Sequence, residues 1–431
     1  MAAWRIALLG LWLSWGTLAA ATGAEFELNT AAGDSVPLRH YPADGDRLLL
    51  WLPGEHGLTA RQVPTAQALA QRGIEVWQPD LHAAFFLPPG RYSLVGIEPQ
   101  LIGELIGAAV ERSGKRVFVA AAGRSAALAL TGIRAWQAQT THPERLGGAV
   151  LLHPNLYRRT PQGGESGEYL PVTRATTVPI YLFQPDQSAA YWRVGELVAT
   201  LEAGGASVFV QRLRDAADGF NTRPDFEPAE AALTARLPAM LDQALTLLAA
   251  VPGSAPSQAL AADTLDTPQR EQRSELLRPY ADPKPAPALQ LPDLGGGRHD
   301  LADLAGRVVL VNFWATWCPP CVEEIPSLQR LYQKLHPAGL EILAVDVGES
   351  ADQVRGFLAH KLPQTQVSFP VLLDPEGAAF KAWQAYAFPT TLILDRRQRI
   401  RYAVFGAFAW DSPEVVQTLR ALLAETPRDS R

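Results

Sequence analysis

The chain has 431 residues, 47% of them apolar, and a formal net charge of −6. That length suits two or three domains with hydrophobic cores of their own, and the apolar share excludes a disordered chain. The slight acidity argues against nucleic acid as a partner, and two cysteines in so long a chain exclude a scaffold built on disulfides.

The first residues, "MAAWRIALLGLWLSWGTLAAATGAEF", carry one early cation, Arg5, an apolar run from Ile6 to Ala21, and small residues at Ala19, Ala21 and Ala24 suited to a cleavage site. Residues 1–24 are expected to be an export signal, which would place the mature protein in the periplasm. The run is shorter than the ~20 residues that span a bilayer core, so cleavage is the reading adopted, with an uncleaved anchor as its competitor. No cysteine stands near the cleavage site to take a lipid.

Residues 25–250 alternate short apolar runs with helical segments: "RLLLWLP", "IEVWQPD", "RVFVAAA", "GAVLLHP", "PIYLFQP" and "SVFVQRL" read as strands, and "LTARLPAMLDQALTLLAA" as a closing helix. Continuous apolar strands between helices predict an α/β domain whose mainly parallel sheet is covered on both faces. The turn in "VFVAAAGRSAALAL" resembles the nucleophile elbow of α/β-hydrolases, with Gly123 at the nucleophile position in one register and Ser125 in the other. Asp186 would be the acid of a triad. The base is missing, because the chain has no histidine between His153 and His299, and Asp218 stands in "DGF" where a histidine is expected. His153 reads as a capping or packing residue. The domain is expected to be hydrolase-like and non-catalytic, holding a partner, a ligand or the client.

Residues 251–284 are rich in Pro, Ala, Ser and charge, and read as a linker with a short helix near 269–277. Residues 285–425 then give the strand "RVVLVNFWA", a helix over 319–335, the strand "LEILAVDVG", the helix "ADQVRGFLAHKL", the segment "FPVLLDPEGAAFKAWQA", the strands "FPTTLILD" and "IRYAVFGAF", and the closing helix "SPEVVQTLRALLAE". Both cysteines lie in "NFWATWCPPCVEEIP". A Cys318–Cys321 bond would close too small a loop to stabilise the fold much, and His299 and His336 fit no zinc spacing, so no metal is expected and the pair reads as a redox centre.

Cys318 falls where strand gives way to helix, so unpaired backbone donors and the positive end of the helix dipole favour its thiolate. Cys321 follows one turn later on the same face and can resolve a mixed disulfide. Pro319 and Pro320 suit a helix's first turn, and Trp317 offers an apolar face to a client or packs inward.

"LADLAGRVVLVNFWATWCPPC", the following "EEIP" and the later "FPTTLILD" together resemble the TlpA and ResA branch of exported thiol-disulfide oxidoreductases over about 140 residues. The resemblance implies a thioredoxin-like domain, a cis Pro389 facing the cysteines with Phe388 and Thr390 in the substrate contact, and Glu324 as proton acceptor for Cys321. The aspartate that many thioredoxins use in the preceding strand is Asn312 here, which cannot take a proton. It also implies protein disulfide substrates, with apocytochrome c among them, re-reduction by a membrane thiol transporter, and no cofactor. The surroundings lack the threonine and arginine that a peroxidatic cysteine needs. Two rival functions remain: an esterase using Ser125 and Asp186 under redox control, and a periplasmic scaffold with idle cysteines.

Overall fold

The computed structural model describes residues 23–161, 163–224, 226–252, 277–362 and 364–425. The expected signal segment, apart from its last two residues, and the expected helix near 269–277, apart from Leu277, lie outside the described residues.

The first sheet has eight strands: β1 Ala24–Asn29, β2 Ser35–Tyr41, β3 Arg47–Trp51, β4 Ile74–Pro79, β5 Arg116–Ala122, β6 Leu146–Leu152, β7 Ile180–Gln187 and β8 Val208–Ala217. Their order across the sheet is β1-β2-β4-β3-β5-β6-β7-β8. β3 to β8 run parallel, β2 is antiparallel to β4, and β1 is antiparallel to β2. The helices between and after them are α1 Val63–Gln71, α2 Leu81–Ala84, α3 Pro99–Ser113, α4 Ser125–Gln137, α5 Val172–Ala175, α6 Val194–Ala203 and α7 Pro228–Ala250.

The alternation of side chains along a strand explains why the central strands are apolar throughout. Leu48 and Leu50 of β3 and Val117 and Val119 of β5 fill the core on one face, while Leu49, Phe118, Val150 and Phe183 fill the other. β1 and β2 are absent from the strands read off the sequence. They form an edge hairpin whose residues alternate between exposed and buried, a weaker signal than a run of buried residues.

The second sheet has the order β14-β13-β12-β15-β16-β9. Its strands are β9 Arg278–Pro285, β12 Val308–Trp314, β13 Leu340–Val347, β14 Val371–Asp374, β15 Thr390–Leu394 and β16 Arg399–Phe405; β10 Gln290–Pro292 and β11 Arg298–Asp300 form a separate hairpin. β12, β13 and β14 are parallel, and β15, β16 and β9 extend the sheet antiparallel. Helices α8 Pro319–Leu335, α9 Ala351–Lys361, α10 Ala378–Ala382 and α11 Pro413–Ala424 complete the unit. Val308 and Leu310 face one core with α8, and Val309, Val311 and Phe313 face the other.

β9 corrects the expected linker, since residues 278–284 were assigned to it and instead pair with β16. Pro279, Pro283 and Pro285 concealed the strand, because proline is compatible with a strand mainly at a sheet edge, and β9 is an edge. Among the described residues no helix is long and apolar enough to cross a membrane.

Leu328 is wholly buried on the inner face of α8. Leu328→Ala should cost about 2–5 kcal/mol of stability by removing transfer energy and leaving a cavity, read by chemical denaturation. A loss under about 1 kcal/mol would mean that this face is not tightly packed.

Candidate active site

β12 ends at Trp314, and residues Ala315–Trp317 carry the chain over to Cys318, which occupies the N-cap of α8 with extended backbone (φ −98°, ψ 100°). Pro319 and Pro320 occupy the first helical positions, where the missing N–H groups cost nothing. Cys318 and Cys321 form a disulfide with Cα atoms 5.3 Å apart. Cys321 is wholly buried and Cys318 nearly so, at 4% exposure. Cys318 therefore lies at the positive end of the α8 dipole, which favours a thiolate once the bond is reduced; free donors contribute little, because Pro319 and Pro320 have no N–H and the Cys321 and Val322 N–H groups both go to the Cys318 carbonyl, at 3.0 and 3.2 Å.

The Phe388–Pro389 peptide bond is cis, as the resemblance implied. Phe388 packs edge-on against Trp317, ring centroids 5.3 Å apart, and stacks at 4.7 Å on Phe380 of α10. Trp317 and Phe388 are half-buried and form one apolar surface beside the cysteines. Thr390 does not share it. The residue is fully buried between β12 and β16, and its hydroxyl donates to the Ala387 carbonyl at 2.7 Å, so its side chain is closed to a substrate. The resemblance placed Thr390 in the substrate contact; the two flanking strands seal its side chain instead.

Glu324 is 2% exposed, on the same inward stripe of α8 as Cys321 and Leu328. The period of two along β12 turns Asn312 to the face that α8 covers. Its amide donates to Glu324 Oε1 and to Thr391 Oγ1, each at 2.8 Å. Glu324 Oε2 accepts from Trp410 Nε1 at 3.0 Å and from the Phe408 backbone at 3.3 Å. Burial raises the Glu324 carboxyl to about 7, opposed by the bonds from Trp410, Asn312 and Phe408. Asn312 thus holds the neighbouring acid in place. Glu323 beside it is exposed.

Sequence reasoning missed an acidic pair, Glu349 and Asp346. Glu349, just past β13, accepts from the Thr316 N–H at 2.6 Å and the Thr316 hydroxyl at 2.5 Å, and so fixes the segment entering Cys318. Asp346 is wholly buried near it, and burial with the Glu349 charge holds its carboxyl well above the usual carboxylate range. The sequence signal was an acid, Asp346, following the apolar run over 342–345 of β13. Trp410 was missed too, 86 residues from the acid it serves.

In the first domain the proposed esterase residues do not converge. Gly123 sits at the turn after β5 with φ +57°, a left-handed backbone that suits glycine. The Ser125 hydroxyl is buried and donates to the Ala122 carbonyl at 2.7 Å, and Asp186 accepts from Arg212 at 3.0 Å. His153, beside the turn, uses Nε2 to accept from the Gly219 N–H at 3.2 Å and ties two loops together. Ser125 and Asp186 are held by structural bonds rather than by a base.

A family profile described as the AhpC/TSA family matches residues 283–403. A thiol-disulfide oxidoreductase ResA of Geobacillus kaustophilus (strain HTA426) is 34% identical over 129 residues, 30% of this chain and 72% of that protein. The ResA of Bacillus subtilis (strain 168) is 37% identical over 121 residues, 28% of this chain and 65% of that protein. A solved structure described as a putative thiol:disulfide interchange protein DsbE from Chlorobium tepidum aligns with 28% identity and a TM-score of 0.31, covering 33% of this chain and 97% of its own.

The raised Glu324 carboxyl ties stability to pH. Between the unfolded value of 4.5 and the folded value of about 7, the native state keeps a proton that the unfolded chain releases. Stability therefore falls as pH rises through that window, by about 3 kcal/mol in total as an order of magnitude. Asp346 and Asp374 are raised too and add slopes of the same sign, so the measurement is a difference. Glu324→Gln should flatten the fall by that amount across pH 4.5–7.5 in denaturation experiments, and parallel curves for variant and wild type would reject the assignment.

Proposed function

Because the chain belongs, through its C-terminal domain, to the ResA family of thiol-disulfide oxidoreductases, we propose that it reduces or isomerises protein disulfides outside the cytoplasm with Cys318 as attacker and Cys321 as resolver. The observation that carries this reading is Cys318 at the N-cap of α8, bonded to Cys321, with a buried acid one turn further along the same helix face. The leader over 1–24 supports export to the periplasm.

The reaction starts from the dithiol. The Cys318 thiolate attacks one sulfur of a client disulfide, forming a mixed disulfide and releasing the other client sulfur as a thiolate. Cys321 then gives its proton to the Glu324 carboxylate and attacks Cys318, releasing the second client thiolate. Two electrons pass to the client, and Cys318 and Cys321 end as a disulfide. A carboxyl at about 7 is matched to this task near neutral pH, since it accepts the proton and returns it to solvent. The apolar surface of Trp317 and Phe388 suits a client segment beside the cis Pro389, whose loop offers a backbone edge. A membrane thiol transporter would restore the dithiol, and apocytochrome c cysteines fit the proposed client class.

The first domain is read as an α/β-hydrolase fold that has lost catalysis. Its strand order and its turn at Gly123 support the fold, and the engagement of Ser125, Asp186 and His153 in structural bonds supports the loss. Domains over 25–250 and 285–425, the latter extended back to 278 by β9, complete the reading.

Cys321→Ser should accumulate a mixed disulfide through Cys318 with a disulfide-bonded client, visible on non-reducing gels, whereas Cys318→Ser should trap nothing. Glu324→Gln should slow the resolving step most above pH 7 and weaken the rise of its rate with pH. A reduction potential near the −270 mV typical of thioredoxin would support the reductive direction, and one near about −120 mV would reverse it. Failure of either cysteine variant to alter exchange would overturn the reading.

A further inference from the structure

The segment that leads to the cis Pro389 takes backbone anchors from the first domain. Arg193 ends the 3-10 turn Ala189–Arg193 after β7 and is buried. Its Nε donates to the Ala385 carbonyl at 3.3 Å and its Nη2 to the Lys381 carbonyl at 3.0 Å. The guanidinium lies 4.0 Å above the Tyr386 ring, and Nη1 pairs with Glu196 at 2.9 Å. From the loop after β6, the Gly164 N–H donates to the Trp383 and Gln384 carbonyls at 3.1 and 3.2 Å, and the Gly167 N–H donates to the Tyr386 hydroxyl at 2.7 Å.

Trp192, next to Arg193, packs against the backbone at Gly348 and Gly377, where a methyl group added at either glycine would overlap its ring. Gly348 directly precedes Glu349, the residue that holds Thr316. Two adjacent residues of the first domain therefore reach both sides of the redox centre: the segment before Phe388 and the turn behind Thr316.

The chemistry of these contacts is specific. The Lys381 carbonyl lies in the last turn of the five-residue α10 and also accepts from the Gln384 N–H at 3.0 Å, while Ala385 lies three residues past the helix. A planar guanidinium can serve these two carbonyls at once and stack on an aromatic ring, a combination a lysine cannot reproduce. We propose that Trp192 and Arg193 are positioning residues for the redox reaction. They hold the 381–388 segment so that the backbone beside Pro389 meets a client peptide, and they brace the turn that fixes Thr316. This role rests on the redox reading above.

It predicts selectivity. A peptide that must lie along the loop at Phe388 depends on where that loop stands, whereas a small aromatic disulfide reaches Cys318 without it. In the full-length protein, Arg193→Ala should slow exchange with a disulfide-bonded peptide at least tenfold while changing the rate with the small disulfide less than twofold. Arg193→Lys should recover only part of the peptide rate, and Glu196→Gln should leave both rates unchanged. If Arg193→Ala does not fold, judged by circular dichroism, Trp192→Phe carries the same test, with an expected selective loss of at least threefold. Equal loss with both disulfides, or none, overturns the positioning role. A wild-type protein inactive toward both overturns the redox reading, and this proposal with it.

Discussion

The site depends on one buried carboxyl. β12 turns every second side chain toward α8, and α8 turns every third or fourth side chain toward β12, so Asn312 and Glu324 meet with no water between them. A carboxylate taken out of water is costly unless donors replace its hydration. Asn312, Trp410 and the Phe408 backbone do so from three separate parts of the domain. They do not fully offset burial, and the residue is left with a proton it can hold or lose near neutral pH. Cys321 lies one turn away on the same buried stripe, so the proton transfer proposed for Glu324 would draw on the contacts that pack the core.

A parallel sheet with helices on both faces normally handles ligands at the carboxyl ends of its strands. In the first domain that edge holds Gly123, His153 and the loops after β6 and β7. Two of the polar groups there are spent on backbone ties: Ser125 on Ala122, and His153 on Gly219. The two loops instead run to the second domain, where Gly164, Gly167, Trp192 and Arg193 make their contacts. What the first domain addresses at this edge is its neighbour's backbone. Buried Arg193, with its charge met by two carbonyls, a ring and the half-exposed Glu196 carboxylate, is the most demanding of these contacts, because removing it would take a donor from the Lys381 and Ala385 carbonyls inside the protein.

Much of the architecture was legible beforehand because it is local. Continuous apolar runs marked the parallel strands, and α8 spans Pro319–Leu335 as read from the sequence, because prolines open it and apolar residues recur along it at helical spacing. β1, β2 and β9 escaped for local reasons as well: β1 and β9 are edge strands, β2 lies next to the edge, and polar residues or prolines interrupt their apolar pattern so that they resemble loop composition. The cysteine pair announced its chemistry through spacing and neighbours, and "FPTTLILD" pointed to the cis bond only through the resemblance.

The sequence by itself determined the order of the central strands and their helices, the placement of two thiols at a strand-to-helix junction, and an acid one turn beyond them, since each follows from residues a few positions apart. Tertiary structure alone decided that Thr390 is sealed between two strands, that Trp410 and Asn312 hold Glu324, that Glu349 pins Thr316, and that Trp192 and Arg193 reach the far domain. The hydrogen bonds among these pairings join residues 12 to 192 positions apart. No periodicity of 2 or 3.6 carries across such distances, and which distant side chain meets which is fixed only when the layers close on their cores.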